Sequence, residues 1–218
     1  MSRVHTQGVC FKNFIDEMHE EYDNGLNVHS HLKDRTIPQL QAMQQSDTLP
    51  FQVMFFNLMG DMNIGSMTRT ACVSGASKVW VFGRRKFDRR GLVGCNNYIQ
   101  IEQVNGFVGE TVEFDDDKLY NLLYDECLVP IYAEHGGETL GKFEWVDKLN
   151  PIMRSHLTPL IVMGNENSGY PDHIIDVFKR IEHSFCVTIP QRGVMRSFNV
   201  GHALSAILWD MRRGMEWF

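Results

Sequence analysis

Leu160-Ile161-Val162-Met163-Gly164-Asn165-Glu166-Asn167-Ser168-Gly169 is an unbroken apolar run that ends abruptly in glycines, amides and a carboxylate. A short continuous apolar run bounded by turn residues reads as a strand buried on both faces, as in a parallel sheet. The turn then falls at the C-terminal end of that strand, where open α/β sheets bind ligands. Two further segments share the property: Asn63-Ile64-Gly65-Ser66-Met67-Thr68-Arg69-Thr70 and Ile189-Pro190-Gln191-Arg192-Gly193-Val194-Met195-Arg196-Ser197-Phe198-Asn199. At such strand-to-helix turns, backbone N–H and C=O groups are free to hold a ligand. Taken singly, each has an ordinary explanation. Glu166 could satisfy local N–H groups as a turn residue, Ser197 or Asn199 could be a helix N-cap, and Arg69 could be a solvated helix residue. Three such turns in one chain point instead to a single composite site.

Working outward from these turns, the pattern from Phe51 onward is β then α, repeatedly. Phe51–Leu58, Lys78–Phe82, Tyr98–Val104, Val129–Ala133, Leu160–Met163 and Phe185–Ile189 read as strands. Helices are expected over Ile64–Ala76 (stopped by Gly75), Asp115–Glu126 (acids at its positive end), Pro171–Arg180 (proline in its first turn) and Phe198–Arg213. This alternation predicts an α/β fold, a mostly parallel sheet flanked by helices on both faces. Met62, Met67, Trp80 and Trp209 are expected in the core. Residues 1–50 are more polar, with short amphipathic helices around Phe11–Tyr22 and Pro38–Gln45. They form an N-terminal helical extension to a main domain at 51–218, since they hold too few apolar residues to bury a core.

The chain has 218 residues, with hydrophobic residues at 43% and charged residues at 22%, enough to build a sizeable core. No apolar run approaches the roughly 20 residues that cross a bilayer, and the first residues lack a secretory pattern. Five scattered cysteines without a C-x-x-C pair argue against a disulfide framework or a structural zinc. They suit a reducing compartment, so the expected location is intracellular and cytoplasmic. His29-Ser30-His31 lacks acidic or cysteine partners nearby, so no metal site is expected. Net charge is −6, yet Arg84-Arg85-Lys86-Phe87-Asp88-Arg89-Arg90 packs five cations into seven residues. Beside a ligand site, Arg84, Arg85, Lys86, Arg89 and Arg90 are candidate phosphate contacts. No Walker A loop, G-x-S-x-G elbow or G-x-G-x-x-G after the first strand is present.

Together, N-I-G-S-M-x-R-T, the strand-G-N-E-x-x-G turn and I-P-Q-R-G-V-M-R-S-F-N-V resemble the three motifs of SPOUT methyltransferases. The branch they resemble is the TrmH-like one that methylates ribose 2′-hydroxyls of RNA, and the similarity covers roughly residues 51–213. Gln191 after the proline and Ile207-Leu208-Trp209 in the following helix look most like eukaryotic tRNA guanosine 2′-O-methyltransferases. The resemblance implies an α/β knot, with a trefoil knot in the C-terminal part of the chain. It also implies S-adenosylmethionine as donor, RNA as substrate (tRNA favoured over rRNA), and a homodimer through the knot region and closing helix. By position, Ala133, Gly164, Ile189, Ser197 and Phe198 would line the cofactor pocket; the family usually has leucine where Phe198 stands. Asn63, Arg69, Glu166, Ser197 and Asn199 would form the catalytic set. Arginine is a poor base because its pKa exceeds about 12. Arg69 is therefore expected to fix phosphate and hydroxyl and to stabilise developing oxyanion character, with Asn63 and Ser197 positioning the ribose and Glu166 ordering the loops. Two other readings stay open: a SPOUT-fold RNA-binding protein that has lost catalysis, and a SPOUT enzyme that methylates an RNA base.

Overall fold

The computed structural model describes residues 25–57, 63–84, 86–111, 113–166 and 168–217. The expected helix around Phe11–Tyr22, Met62 and Arg85 lie outside the described residues. Six strands form one sheet: β1 (Gln52–Asn57), β2 (Lys78–Gly83), β3 (Gln100–Val104), β4 (Leu128–Thr139), β5 (Thr158–Met163) and β6 (Phe185–Thr188). Their order is β3-β2-β1-β5-β4-β6, and every pairing is parallel. All C-terminal strand ends therefore share one side of the sheet.

Side-chain alternation sends each central strand into two cores. Val53, Phe55, Val79, Val81, Ile161 and Met163 face one, while Met54, Phe56, Trp80, Phe82, Leu160 and Val162 face the other. This is why the strands read as continuous apolar runs rather than as alternating patterns. Helices α2 (Asn63–Val73), α4 (Trp145–Arg154) and α6 (Val200–Gly214) cover the first face; α3 (Asp116–Asp125) and α5 (Asp172–Lys179) cover the second. At residues 37–46, α1 (Ile37–Ser46) opens on a capping box between Thr36 and Gln39. It buries only Leu40, and the side-chain amide Nε2 of Gln41 donates to the Asn97 carbonyl at 2.8 Å.

Three expectations need correction. Pro171 is the N-cap of α5 rather than a residue of its first turn. Trp209 is 62% exposed, not core. Leu204, Ile207, Leu208 and Met211 occupy the inward stripe of α6 at i, i+3, i+4 and i+7, which turns position 209 outward. Helix α4 was not expected at all, because Pro151 falls inside it and proline ordinarily ends a helix. Here the apolar stripe of Trp145, Leu149 and Ile152, each buried to 0–1% exposure, outweighs the lost hydrogen bond. The Trp145 indole N–H also donates to Asp210 at 2.9 Å, tying α4 to α6.

Candidate functional site

The three turns singled out in the sequence meet at the C-terminal ends of the parallel strands. Asn63 begins α2, Glu166 lies in the turn after β5, and Asn199 caps α6 by accepting from the Gly201 N–H at 2.9 Å. The Asn63 side-chain amide donates to one oxygen of Glu166, and the Asn199 amide donates to the other at 2.8 Å. The Asn199 amide also donates to Asn63 Oδ1 at 3.2 Å. Two amide donors thus face the two oxygens of one carboxylate, a pairing that is strong because the acceptor is ionised. Reciprocal backbone hydrogen bonds between Asn165 and Gly169, at 3.0 and 2.8 Å, close the turn that carries Glu166. Gly164 is needed there, since a Cβ would sit 2.8 Å from the Gly169 carbonyl carbon.

Beside this cluster lies a cavity of about 160 Å³. Ala133, Gly164, Ile189, Ser197 and Phe198 all line it, so the residues expected around a cofactor come together. Val187 and Val200 supply apolar lining, while Glu134 and Arg196 supply charge. Glu134 and His135 follow Ala133, where the resemblance implies a turn that lines the cofactor pocket. Strand β4 instead continues to Thr139 through a register shift between Ala133 and Glu138. The signal was present in Glu134-His135-Gly136-Gly137, another apolar strand running into polar residues and glycines. Beneath the cavity, Tyr170 donates to the Val162 carbonyl at 2.6 Å, and burial holds its phenol well above the ordinary value. Burial likewise pushes the Cys186 thiol up to about 11. Neither group ionises near neutral pH.

Arg69 stands apart. It is exposed on α2, has no ion-pair partner among the described residues, and is not part of the cavity lining. Its charge opposes the rise of the Cys95 thiol, which burial, reinforced by Cys72, pushes up to about 11. The guanidinium therefore lies within electrostatic reach of the segment after β2, not within the Asn63–Glu166–Asn199 cluster.

That segment carries the basic stretch. Arg84, Lys86, Arg89 and Arg90 are exposed. Asn57, fully buried at the end of β1, donates to the carbonyls of Arg84 (2.7 Å) and Lys86 (3.1 Å), and its own carbonyl accepts from the Arg84 N–H at 2.8 Å. Arg90 is clasped by Asp88 through contacts of 2.5–3.1 Å, which hold the Asp88 carboxyl at about 2. The stretch packs against α2 where two glycines meet: a Cβ on Gly91 would lie 2.6 Å from the Ser66 nitrogen, and one on Gly65 2.9 Å from the Asp88 carbonyl oxygen. Replacing Asn57 with alanine leaves the Arg84 and Lys86 carbonyls without their side-chain donor. A loss of about 1–3 kcal/mol is expected, read as a lower denaturation midpoint at unchanged m-value.

The described residues contain no group of three or more His, Cys, Asp or Glu side chains disposed to hold a metal. No helix among them is long and apolar enough to cross a membrane.

A model of the SpoU rRNA methylase family matches residues 50–209. Among solved structures, the chain is similar to the SpoU methyltransferase AviRb from Streptomyces viridochromogenes, in complex with AdoMet. The TM-score is 0.56 at 20% identity, covering 78% of this chain and 58% of that one. It is similar to the A. aeolicus TrmH/SpoU tRNA modifying enzyme, with a TM-score of 0.59 at 16% identity, covering 83% and 82%. It is also similar to an RNA 2′-O ribose methyltransferase, with a TM-score of 0.57 at 19% identity, covering 78% and 57%. The chain thus spans less than two thirds of AviRb. No curated protein matches it.

Proposed function

Since the chain belongs to the SpoU rRNA methylase family, we propose that it transfers a methyl group from S-adenosylmethionine to a ribose 2′-hydroxyl of RNA. The observation that carries this reading is the hydrogen-bonded convergence of Asn63, Glu166 and Asn199 beside a cavity lined by Ala133, Gly164, Ile189, Ser197 and Phe198. When bound, the donor supplies an electrophilic sulfonium methyl. The residues fit such a ligand: Val187 and Val200 suit its apolar parts, the irregular stretch of β4 after Ala133 and the turns after β5 and β6 offer backbone groups, and Glu134 can accept from ribose hydroxyls.

A neutral 2′-hydroxyl is a weak nucleophile, so the chain must orient it and favour loss of its proton. Arg69, exposed and unpaired among the described residues, is suited to grip a phosphate beside the target ribose and to stabilise charge developing on the attacking oxygen. Ser197 supplies a hydroxyl next to the cavity for positioning that sugar. Glu166, with both oxygens engaged by Asn63 and Asn199, acts by locking the turns together rather than by taking the proton.

The substrate reading favours tRNA, with guanosine as the target nucleoside, bound in part by Arg84, Arg85, Lys86, Arg89 and Arg90. Residues 51–218 form the methyltransferase domain and residues 1–50 its extension. A homodimer through α6 would cover Trp209. Incubation with labelled donor and total tRNA or rRNA, followed by ribose-resolved nucleoside mapping, tests the assignment. Label on a base instead of a 2′-oxygen would move it to base methylation, and no transfer with either RNA would overturn it.

Phosphate contacts release counterions, with a slope of log K against log salt of about −0.7 to −0.9 per contact. Arg84→Ser with Arg89→Ser is expected to flatten that slope by about 1.5. Arg90→Ser is expected to change it less, because Asp88 already offsets that charge. Salt titrations of RNA binding distinguish the two, and equal slopes in all three proteins would exclude the basic stretch from the interface.

A further inference from the structure

A second, open cavity, of about 540 Å³, runs beside the edge strand β3, bordered by α1 and by the loop from Phe87 to Leu92. Its size lies within the roughly 300–1,000 Å³ typical of small-ligand sites. Its chemistry is unusual for this acidic chain, since no carboxylate is among its lining residues. Side-chain amides dominate instead: Gln41 and Gln45, one helical turn apart on α1, share the lining with Asn96 from the turn before β3 and Gln103 from β3 itself. Phe87 and Tyr98 contribute rings, and Arg89 contributes the single cation.

We propose that this cavity receives an unpaired RNA base flanking the methylated nucleotide. The proposal rests on the RNA-methyltransferase reading and deepens it. Amides present a donor and an acceptor on one planar group, the complement of a base edge. Aromatic rings offer a stacking surface that any base can use. A lone arginine among neutral amides suits one phosphate of a strand rather than a polyanion. A paired base would hide the edge these amides match, which selects single-stranded RNA. The edge strand β3 adds backbone groups that have no further strand partner among the described residues.

The cavity is joined to the site by one short loop. Phe87, Arg89 and Leu92 line it, while Gly91 of the same loop packs against Ser66 in the first turn of α2, the helix that carries Asn63 and Arg69. A strand gripped at Arg69 would therefore pass directly to this opening. Residues from α1 thereby gain a role in substrate choice: α1 forms one wall, secured by the Gln41 to Asn97 hydrogen bond.

The test uses the full-length protein with a fluorescently labelled single-stranded oligoribonucleotide and its duplex form. Gln45→Ala combined with Gln103→Ala, and separately Tyr98→Ala, are expected to weaken single-strand binding about tenfold, within the range found for lost base contacts. The salt slope should not change, because these side chains neutralise no phosphate. Affinity for S-adenosylmethionine should also be unchanged, which controls for folding. Wild-type affinity in the amide double variant overturns the proposal, as does equal binding of the duplex or a matching loss on the duplex. The binding assay does not depend on catalysis. Absent methyl transfer with cavity-dependent RNA binding would defeat only the proposed function, whereas normal transfer with unaltered binding would defeat only this inference.

Discussion

Arg69→Ala is expected to lower methyl transfer at least about 10²-fold while leaving S-adenosylmethionine affinity unchanged. The separation follows from the geometry. The five residues expected around the donor line one cavity, and Arg69 is not among them. It projects from α2 with no ion-pair partner among the described residues, so its removal breaks no ion pair there. Losing one preorganised group that stabilises charge in the transition state typically costs 10²–10³ in kcat. Lysine at this position would restore charge but not the two-pronged fit to phosphate, so Arg69→Lys should recover only part of the loss. Calorimetric titration of the donor together with single-turnover methylation reads both quantities. Full activity in the alanine variant would remove Arg69 from the mechanism.

Glu166→Gln should be nearly as damaging, although it changes only an oxygen to an amide nitrogen. Both carboxylate oxygens accept from amide N–H groups, one from Asn63 and one from Asn199. Glutamine keeps one acceptor and turns a second donor toward an existing donor, so one of the two asparagines must swing away. Because Asn199 also caps α6 and bonds Asn63, the displacement spreads to all three turns. Misplacement by about 1 Å can cost 10²-fold in rate, and a comparable drop in kcat is expected here. Unlike Arg69→Ala, this variant should also bind the donor more weakly, because the Gly164 turn that lines the cavity carries Glu166. A variant with unaltered donor affinity and rate would show that the cluster does not organise the site.

Much of this site is local in character and so was legible in the chain. Leu160–Met163 running into Gly164-Asn165-Glu166 specifies a buried strand and its terminal turn within ten residues, whatever surrounds it. The same holds for Asn199 as a cap of α6. The segment after Ala133 was legible as part of the pocket but not as strand, because β4 continues past Ala133 only by pairing with β6. Helix α4 was hidden for the converse reason. Pro151 carries a strong local stop signal, and only burial of Trp145, Leu149 and Ile152 against the sheet and α6 overcomes it.

What the sequence by itself determined is the set of elements, their α/β alternation, and the three polar turns that end buried strands, since each depends on periodicity and turn chemistry over a few residues. Only the tertiary structure decided which of those groups touch. The order β3-β2-β1-β5-β4-β6 brings Asn63, Glu166 and Asn199 within hydrogen-bonding distance. It also leaves Arg69 outside that cluster, turns Trp209 to the surface, and sets Gln45 of α1 in one cavity lining with Gln103 of the edge strand. These contacts join residues far apart in the chain, and their partners are chosen by how helices and strands bury their apolar faces together.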